Sequence, residues 1–264
     1  MTKSVAVIGA GPVGCYAAYL LAKKGYDVSI YEEHNEVGTP IQCTGILTGA
    51  ISDIMEIPDS VIQNRIRRIK VNSPDGNVLE FKLDEEEIIV NRDLFDRHFA
   101  DLAKKEGVKI YTGMKLTGRD NGNFIIQDKN KRETMMISTD YLIGADGPNS
   151  VARGFINNRK TKNYIGVQST VEKKNEVDVF DTYFGKKFPN FFGWFVPIDK
   201  NHARMGLATE KKTRENFEEF TEGLSCKKRE GGLIPVYDPK LVVVDGNVAL
   251  TGDPATHVKA TTGG

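Results

Sequence analysis

At 264 residues, with Lys+Arg and Asp+Glu balanced at 36 each and 39% hydrophobic residues, the chain has the composition of a soluble globular protein able to bury a sizeable core, in one large domain or two smaller ones. A formal net charge of zero excludes global steering to nucleic acid, and three widely spaced cysteines (Cys15, Cys43, Cys226) exclude a disulfide framework, offer no metal-ligand spacing and suit a reducing cytoplasm. No apolar stretch approaches bilayer-spanning length, and Gly9, Gly11, Pro12 and Gly14 break the N-terminal apolar run. Neither a membrane span nor an export signal is expected, and any membrane contact is expected to be peripheral.

Ser4 to Ile8 is a short β-branched run. The residues after Pro12 recur at helical spacing through Leu20, Leu21 and Lys24, where Gly25 stops the helix. Val28 to Tyr31 forms a second buried strand closing on Glu32, which completes a strand–helix–strand unit of a parallel sheet with its ligand at the strand C-termini. In the turn Gly9-Ala-Gly11-Pro12-Val13-Gly14, the first glycine permits the tight bend and the second lets the backbone approach a pyrophosphate. The third lets helix and strand pack closely, and the helix N-terminus holds the anion. Glu32 is placed to accept hydrogen bonds from ribose hydroxyls and to repel a 2′-phosphate, which disfavours NADP, while Glu33 reads as a solvated strand-end charge. NAD and FAD share this fingerprint.

Residues Glu36 to Thr48 are rich in Gly, Pro and Thr and predict a loop. Turns at Pro74-Asp75-Gly76-Asn77 and Asn121-Gly122-Asn123 predict hairpins. Arg92 to Lys105 predicts a helix stopped by Gly107, followed by strands over Val108 to Tyr111 and Tyr141 to Ala145. Aromatic-rich strands are expected at Val179 to Phe184, Phe191 to Val196 and Ala203 to Ala208, a polar helix near Arg214 to Gly223, and one buried strand over Leu241 to Leu250. The expected fold class is α/β, with a discontinuous Rossmann-like nucleotide domain (1–65, 85–160, 240–264) interrupted by an antiparallel, β-rich substrate domain (66–84, 161–239). There is no internal repeat or low-complexity tract.

Two further segments each follow a buried strand: Asp140 to Arg153, containing Asp146-Gly147, and Val248 to Ala255, containing Gly252-Asp253. They resemble the second and third nucleotide motifs of FAD-dependent hydroxylases, of the glutathione-reductase/hydroxylase type, and that resemblance implies FAD. Within that superfamily the chain resembles the geranylgeranyl reductases, including the archaeal digeranylgeranylglycerophospholipid reductases. Pro40-Ile-Gln-Cys43-Thr44-Gly45 is similar to their cysteine loop beside the flavin, and Asn91-Arg92-Asp93-Leu-Phe95-Asp96 to their Arg-x-x-Phe-Asp helix start. Phe192-Gly-Trp194-Phe-Val196-Pro197 is similar to the strand that lines their lipid cavity, with Val196 where Phe is common. Gly252 through Gly263-Gly264 is similar to the segment that leads into their glycine turn at the flavin ring. The family continues beyond this turn into a helical portion that the sequence does not include.

The resemblance implies FAD contacts from Gly9, Gly11, Pro12, Val13, Gly14, Glu32, Cys43, Thr44, Gly45, Arg92, Met114, Asp146, Gly252, Asp253, Gly263 and Gly264. It implies substrate contacts from Phe192, Trp194, Val196 and Pro197, and a site role for Cys43, either catalytic or as a small packing residue. A prenyl lipid or geranylgeranyl substrate and an external electron donor, reduced ferredoxin or NAD(P)H, follow from the same resemblance. Cys15 is expected in packing, Cys226 in a polar loop, and His257 without a defined task. Two rival readings remain open: a monooxygenase of hydroxylase or halogenase type, and an inactive FAD-binding fragment.

Overall fold

The structure, a computed structural model, describes residues 1–156 and 159–258. The chain opens with β1 (Ser4–Ile8), α1 (Pro12–Lys23) and β2 (Asp27–Glu32). A short β3 (Ile46–Leu47) precedes the long hairpin β4 (Ile62–Asn72) and β5 (Val78–Val90). Next come α2 (Arg92–Lys105), β6 (Lys109–Thr112), the meander β7 (Met114–Asp120), β8 (Asn123–Asp128) and β9 (Glu133–Ile137), and β10 (Tyr141–Gly144). The second half holds β11 (Asn163–Glu172), β12 (Val179–Tyr183), β13 (Gly193–Pro197), β14 (His202–Thr209), α3 (Thr213–Phe220), β15 (Cys226–Pro235), β16 (Val244–Asp245) and β17 (Val248–Leu250).

These elements form two compact units, the first from residues 1–39, 93–156, 159–162 and 235–258, the second from 40–92 and 163–234. Residues 40–65 and 85–92, expected from sequence in the nucleotide domain, group with the second unit. The reason is pairing: β4 and β5 run together from Ile62–Val90 to Asn72–Val78, well beyond the turn that signalled the hairpin.

The first unit is built on a six-stranded sheet in the order β16-β17-β10-β1-β2-β6, parallel except at the β16 edge. β1 lies between β2 and β10, so strand order reverses at its C-terminal end, where ligands bind in open α/β sheets. α1 forms because Pro12 presets the first helical φ and Gly11 caps it in extended geometry. Its buried face is small (Gly14, Cys15, Ala18), which lets it lie close on the sheet. It ends where Gly25 adopts φ +86° and its N–H reaches the carbonyl of Ala22. On another part of the unit, Leu116, Phe124 and Ile126 of the meander pack with Leu142, Val248 and Leu250. The expected single strand over Leu241 to Leu250 is instead a tight hairpin, turned at Gly246 with φ +55°.

The second unit is an eight-stranded sheet ordered β15-β11-β14-β13-β12-β4-β5-β3, antiparallel apart from the parallel pair β12–β4. Alternation gives it two apolar faces. One carries Phe180, Phe192, Trp194, Val196 and Ala208 with Ile66 and Ile89. The other carries Val171, Phe195, Ala203 and Met205, with Phe220 of α3 packed against them. Cys226 opens edge strand β15 rather than lying in a loop; the exposed Lys227, Lys228 and Arg229 that read as loop sequence are how an edge strand resists pairing with a second chain.

Candidate functional site

In the first unit the three glycine-containing motifs converge. The Gly9 N–H donates to the Tyr31 carbonyl and Ala145 N–H to that of Ile8, which ties the first motif to β2 and the second motif to β1. Gly9 has φ +99°, and a Cβ there would stand 2.3 Å from the Ala145 carbonyl oxygen; one on Gly14 would stand 2.1 Å from that of Gly9. These two glycines let strand, turn and helix meet. At Gly11 the space is open, with no heavy atom within 4 Å of an added Cβ. No side chain caps α1, so its N-terminal N–H groups remain oriented for an anion. Val13 lies beside Gly252 of the third motif, where a Cβ on Gly252 would meet its side chain at 3.4 Å.

The buried Glu32 carboxylate fastens this turn. One oxygen accepts the Ala10 N–H at 2.7 Å; the other accepts the His34 N–H at 2.9 Å and lies 2.6 Å from His34 Nδ1. Three contacts leave about one of the roughly four acceptor positions of a carboxylate for a ribose hydroxyl. His34 carried no sequence signal of its own beyond standing two residues after Glu32. Glu33, expected as a solvated strand-end charge, instead pairs with Lys115 at 2.9 Å, and this ammonium holds its carboxyl below the ordinary range.

Asp146 turns inward on its own loop. Its oxygens accept from the Ser150 hydroxyl (2.6 Å), Val151 N–H (2.7 Å) and Ala152 N–H (3.1 Å). Burial nevertheless pushes its pKa up. A raised native pKa stabilises the fold when the group is protonated, and that gain is lost as pH rises through the raised value. Asp146→Asn keeps the acceptor oxygen and loses the charge. The melting temperature of the variant minus that of the native chain is therefore expected to increase as pH rises above the ordinary aspartate range; a pH-independent difference would contradict this. Arg153 binds the second motif to the third, donating to the Pro148 carbonyl at 2.8 Å and the Pro254 carbonyl at 3.4 Å.

Met114 opens β7 and packs against the core of this unit. Asp253 starts a single helical turn, Asp253–Ala255. Cys15 is buried, with Sγ 3.3 Å from the Ala10 carbonyl and its thiol pushed up to about 12 by burial, consistent with packing. His257 is exposed. Gly263 and Gly264 lie outside the described residues.

In the second unit, the Cys43–Gly45 loop and the Trp194 strand are attached to the same sheet face. Cys43 is exposed, and its Sγ accepts the Gly45 N–H at 3.4 Å. Gly45 has φ +79° and a Cβ there would stand 2.8 Å from the Val90 carbonyl oxygen and 3.1 Å from Cγ of Arg92. The Thr44 hydroxyl donates to Gln168 Oε1 at 2.7 Å. Register pairs Trp194 and Gln168 with Gly206, and Val196 with Arg204, which puts these side chains on one face. Phe192, Trp194 and Val196 are packed together there, and the Trp194 indole N–H is buried without an acceptor among the described residues. Pro197 departs from the expectation for this strand: it pairs with Ala203 of the opposite cluster, because one step along a strand changes face. The open hollows of about 560 and 410 Å³ near Lys173 and Lys174 do not include the Phe192–Trp194–Val196 wall.

Gln168, Arg204 and Gly206 were missed from sequence. Arg204 did leave a trace, a lone cation inside the apolar run Ala203 to Ala208. Among the described residues there is no cluster of His, Cys, Asp or Glu arranged to hold a metal, and no helix long and apolar enough to cross a membrane.

Residues 7–45 match the family described as NAD(P)-binding Rossmann-like domain. The chain is 27% identical to geranylgeranyl diphosphate reductase of Synechocystis sp., over 100% of this chain and 71% of that protein. It is 27% identical to digeranylgeranylglycerophospholipid reductase 1 of Methanococcoides burtonii, over 98% and 69%. Against digeranylgeranylglycerophospholipid reductase 3 of Methanosphaera stadtmanae the identity is 29%, over 98% and 72%. The solved structure of a geranylgeranyl bacteriochlorophyll reductase-like protein from Thermoplasma acidophilum superposes with a TM-score of 0.90 at 23% identity, covering 100% of this chain and 74% of that one. The flavin-dependent halogenase CmlS gives 0.72 at 19%, covering 97% and 54%. Over essentially its whole length the chain is thus similar to named geranylgeranyl and digeranylgeranylglycerophospholipid reductases, on a fold shared with a geranylgeranyl bacteriochlorophyll reductase-like protein and a flavin-dependent halogenase.

Proposed function

We propose that the protein is an FAD-dependent reductase that saturates carbon–carbon double bonds of geranylgeranyl chains in isoprenoid or archaeal membrane-lipid synthesis. The observation that carries this is chain-long similarity to named geranylgeranyl and digeranylgeranylglycerophospholipid reductases. The residues present suit the cofactor. The open approach at Gly11 and the uncapped start of α1 suit the pyrophosphate, with Pro12, Val13, Gly252 and Asp253 beside it. Glu32 takes a ribose hydroxyl and Met114 belongs to the same nucleotide side. Thr44, Gly45 and Arg92 belong to the flavin side.

Reduced FAD, when bound, would supply hydride chemistry for alkene reduction. The chain must do the rest. Phe192 and Trp194, backed by the fully buried Val196, form the apolar wall against which a prenyl chain would lie and which excludes water. Cys43, exposed on its loop, holds the proton at Sγ for the second carbon. Electrons come from an external donor, reduced ferredoxin or NAD(P)H, and the enzyme works in the cytoplasm, touching the membrane only peripherally.

The fold is shared with halogenases, so oxygen use is the discriminating test. Reduced enzyme given a geranylgeranyl substrate in air is expected to form no oxygenated or halogenated product. Stoichiometric oxygen incorporation would overturn the reductase reading.

A further inference from the structure

Two buried polar side chains grip the Cys43–Gly45 loop from one face of the eight-stranded sheet. Arg204, 6% exposed, donates from Nη1 to the carbonyl oxygens of Thr44 and Val90, and from Nη2 to Oε1 of Gln63 at 2.7 Å. Gln168, 3% exposed, accepts the Thr44 hydroxyl through Oε1. Its amide NH₂ donates to the Cys43 carbonyl at 3.4 Å and to Glu230 Oε2 at 3.1 Å. The carbonyls of both Cys43 and Thr44 are thus bound by side chains from β11 and β14.

Sheet packing alone does not explain this choice. Arg204 stands between buried Ala203 and Met205, and its three hydrogen-bond partners are neutral. Burial pushes its pKa down, with the charge of Glu230 the main opposing influence. A well-packed apolar side chain would avoid that desolvation. A rigid fork of donors meets a different need, fixing carbonyls from two separate chain segments at once. Because Arg204 and Gln168 share the face that bears Trp194 and Val196, the grip also sets the loop relative to that wall.

We propose that Arg204 and Gln168 are positioning residues that hold the Cys43–Gly45 loop in one arrangement on the Trp194 face during turnover. The catalytic part of this rests on the reductase reading; the clamp itself does not.

Arg204→Met, Arg204→Lys and Gln168→Leu in the full chain separate the two. Amide hydrogen exchange at Gly45, whose N–H is held by Cys43 Sγ, needs neither flavin nor substrate. It is expected to quicken about tenfold in Arg204→Met and less in Arg204→Lys, with β13 amides unchanged. In the FAD-loaded enzyme, kcat is expected to fall about tenfold in Arg204→Met with KM within about threefold and the flavin spectrum preserved, and Lys is expected to restore part of the rate. Unchanged Gly45 exchange in folded Arg204→Met protein would overturn the clamp. Quickened exchange with unchanged kcat would overturn the positioning role. Quickened exchange in a chain whose native form reduces no prenyl substrate would sustain the clamp and count against the reductase reading. If Arg204→Met does not fold, Gln168→Leu and Thr44→Val, which remove loop contacts without removing a charge, carry the same exchange test.

Discussion

Gly11→Val is expected to leave the apo fold intact and abolish FAD binding. The backbone there is extended, φ −66° and ψ 171°, which valine adopts readily, and no heavy atom lies within 4 Å of the added Cβ. The stability cost is that of a poorer helix cap, about 0.5–1 kcal/mol. The side chain would instead occupy the approach left for a pyrophosphate. The neighbouring glycines behave oppositely. Gly14→Ala places its Cβ 2.1 Å from the Gly9 carbonyl oxygen, and Gly9→Ala combines φ +99° with a 2.3 Å approach to that of Ala145. Both are backbone collisions, so the apo protein should lose about 1–3 kcal/mol or more. Apo melting curves with FAD titration separate the classes. Stoichiometric FAD retained by Gly11→Val would refute the assignment of this turn.

Gly206→Ala is expected to dislodge Trp194. An added Cβ would lie 2.6 Å from each of Gln168 Cβ, Trp194 Cζ2 and the Val167 carbonyl oxygen. A rigid ring and a ladder carbonyl cannot both yield, so the cost should be at least about 1–3 kcal/mol. Trp194 is the sole tryptophan of the chain, which makes its emission a direct reporter. A red-shifted emission maximum, a lower melting temperature and slower turnover are expected. An unchanged emission maximum and melting temperature would show that the crowding is relieved elsewhere.

Local signals made the first unit legible in the sequence. The turn Gly9–Gly14, the helix stop at Gly25 and the strand closing on Glu32 lie within a short stretch and obey backbone rules, so β1, α1 and β2 fall where the pattern puts them. The hairpin at Pro74–Asn77 was equally plain, but not its reach, because strand length depends on partners far along the chain. β11 and β15 were missed for related reasons: β15 is an edge strand with the polarity of a loop, and β11 mixes Gly166, Gln168 and Ser169 into its buried positions.

The candidate site divides the same way. Single positions that a motif demands, such as Gly9 and Gly14, could be read from sequence. Which way a carboxylate turns could not: Asp146 binds its own loop and Glu32 closes on Ala10 and His34, both outcomes of tertiary geometry. Gln168 and Arg204 reach Cys43 and Thr44 across more than a hundred residues, beyond any local pattern.

Prenyl reduction by the flavin-loaded protein is tested by a single anaerobic turnover. FAD-loaded protein, reduced with dithionite and separated from excess reductant, is mixed with a geranylgeranyl lipid; flavin absorbance is followed and the lipid analysed by mass spectrometry. Flavin is expected to be reoxidised without oxygen while each equivalent adds two hydrogens across one prenyl double bond. A prenyl chain recovered unchanged beside flavin that stays reduced until air is admitted would contradict it.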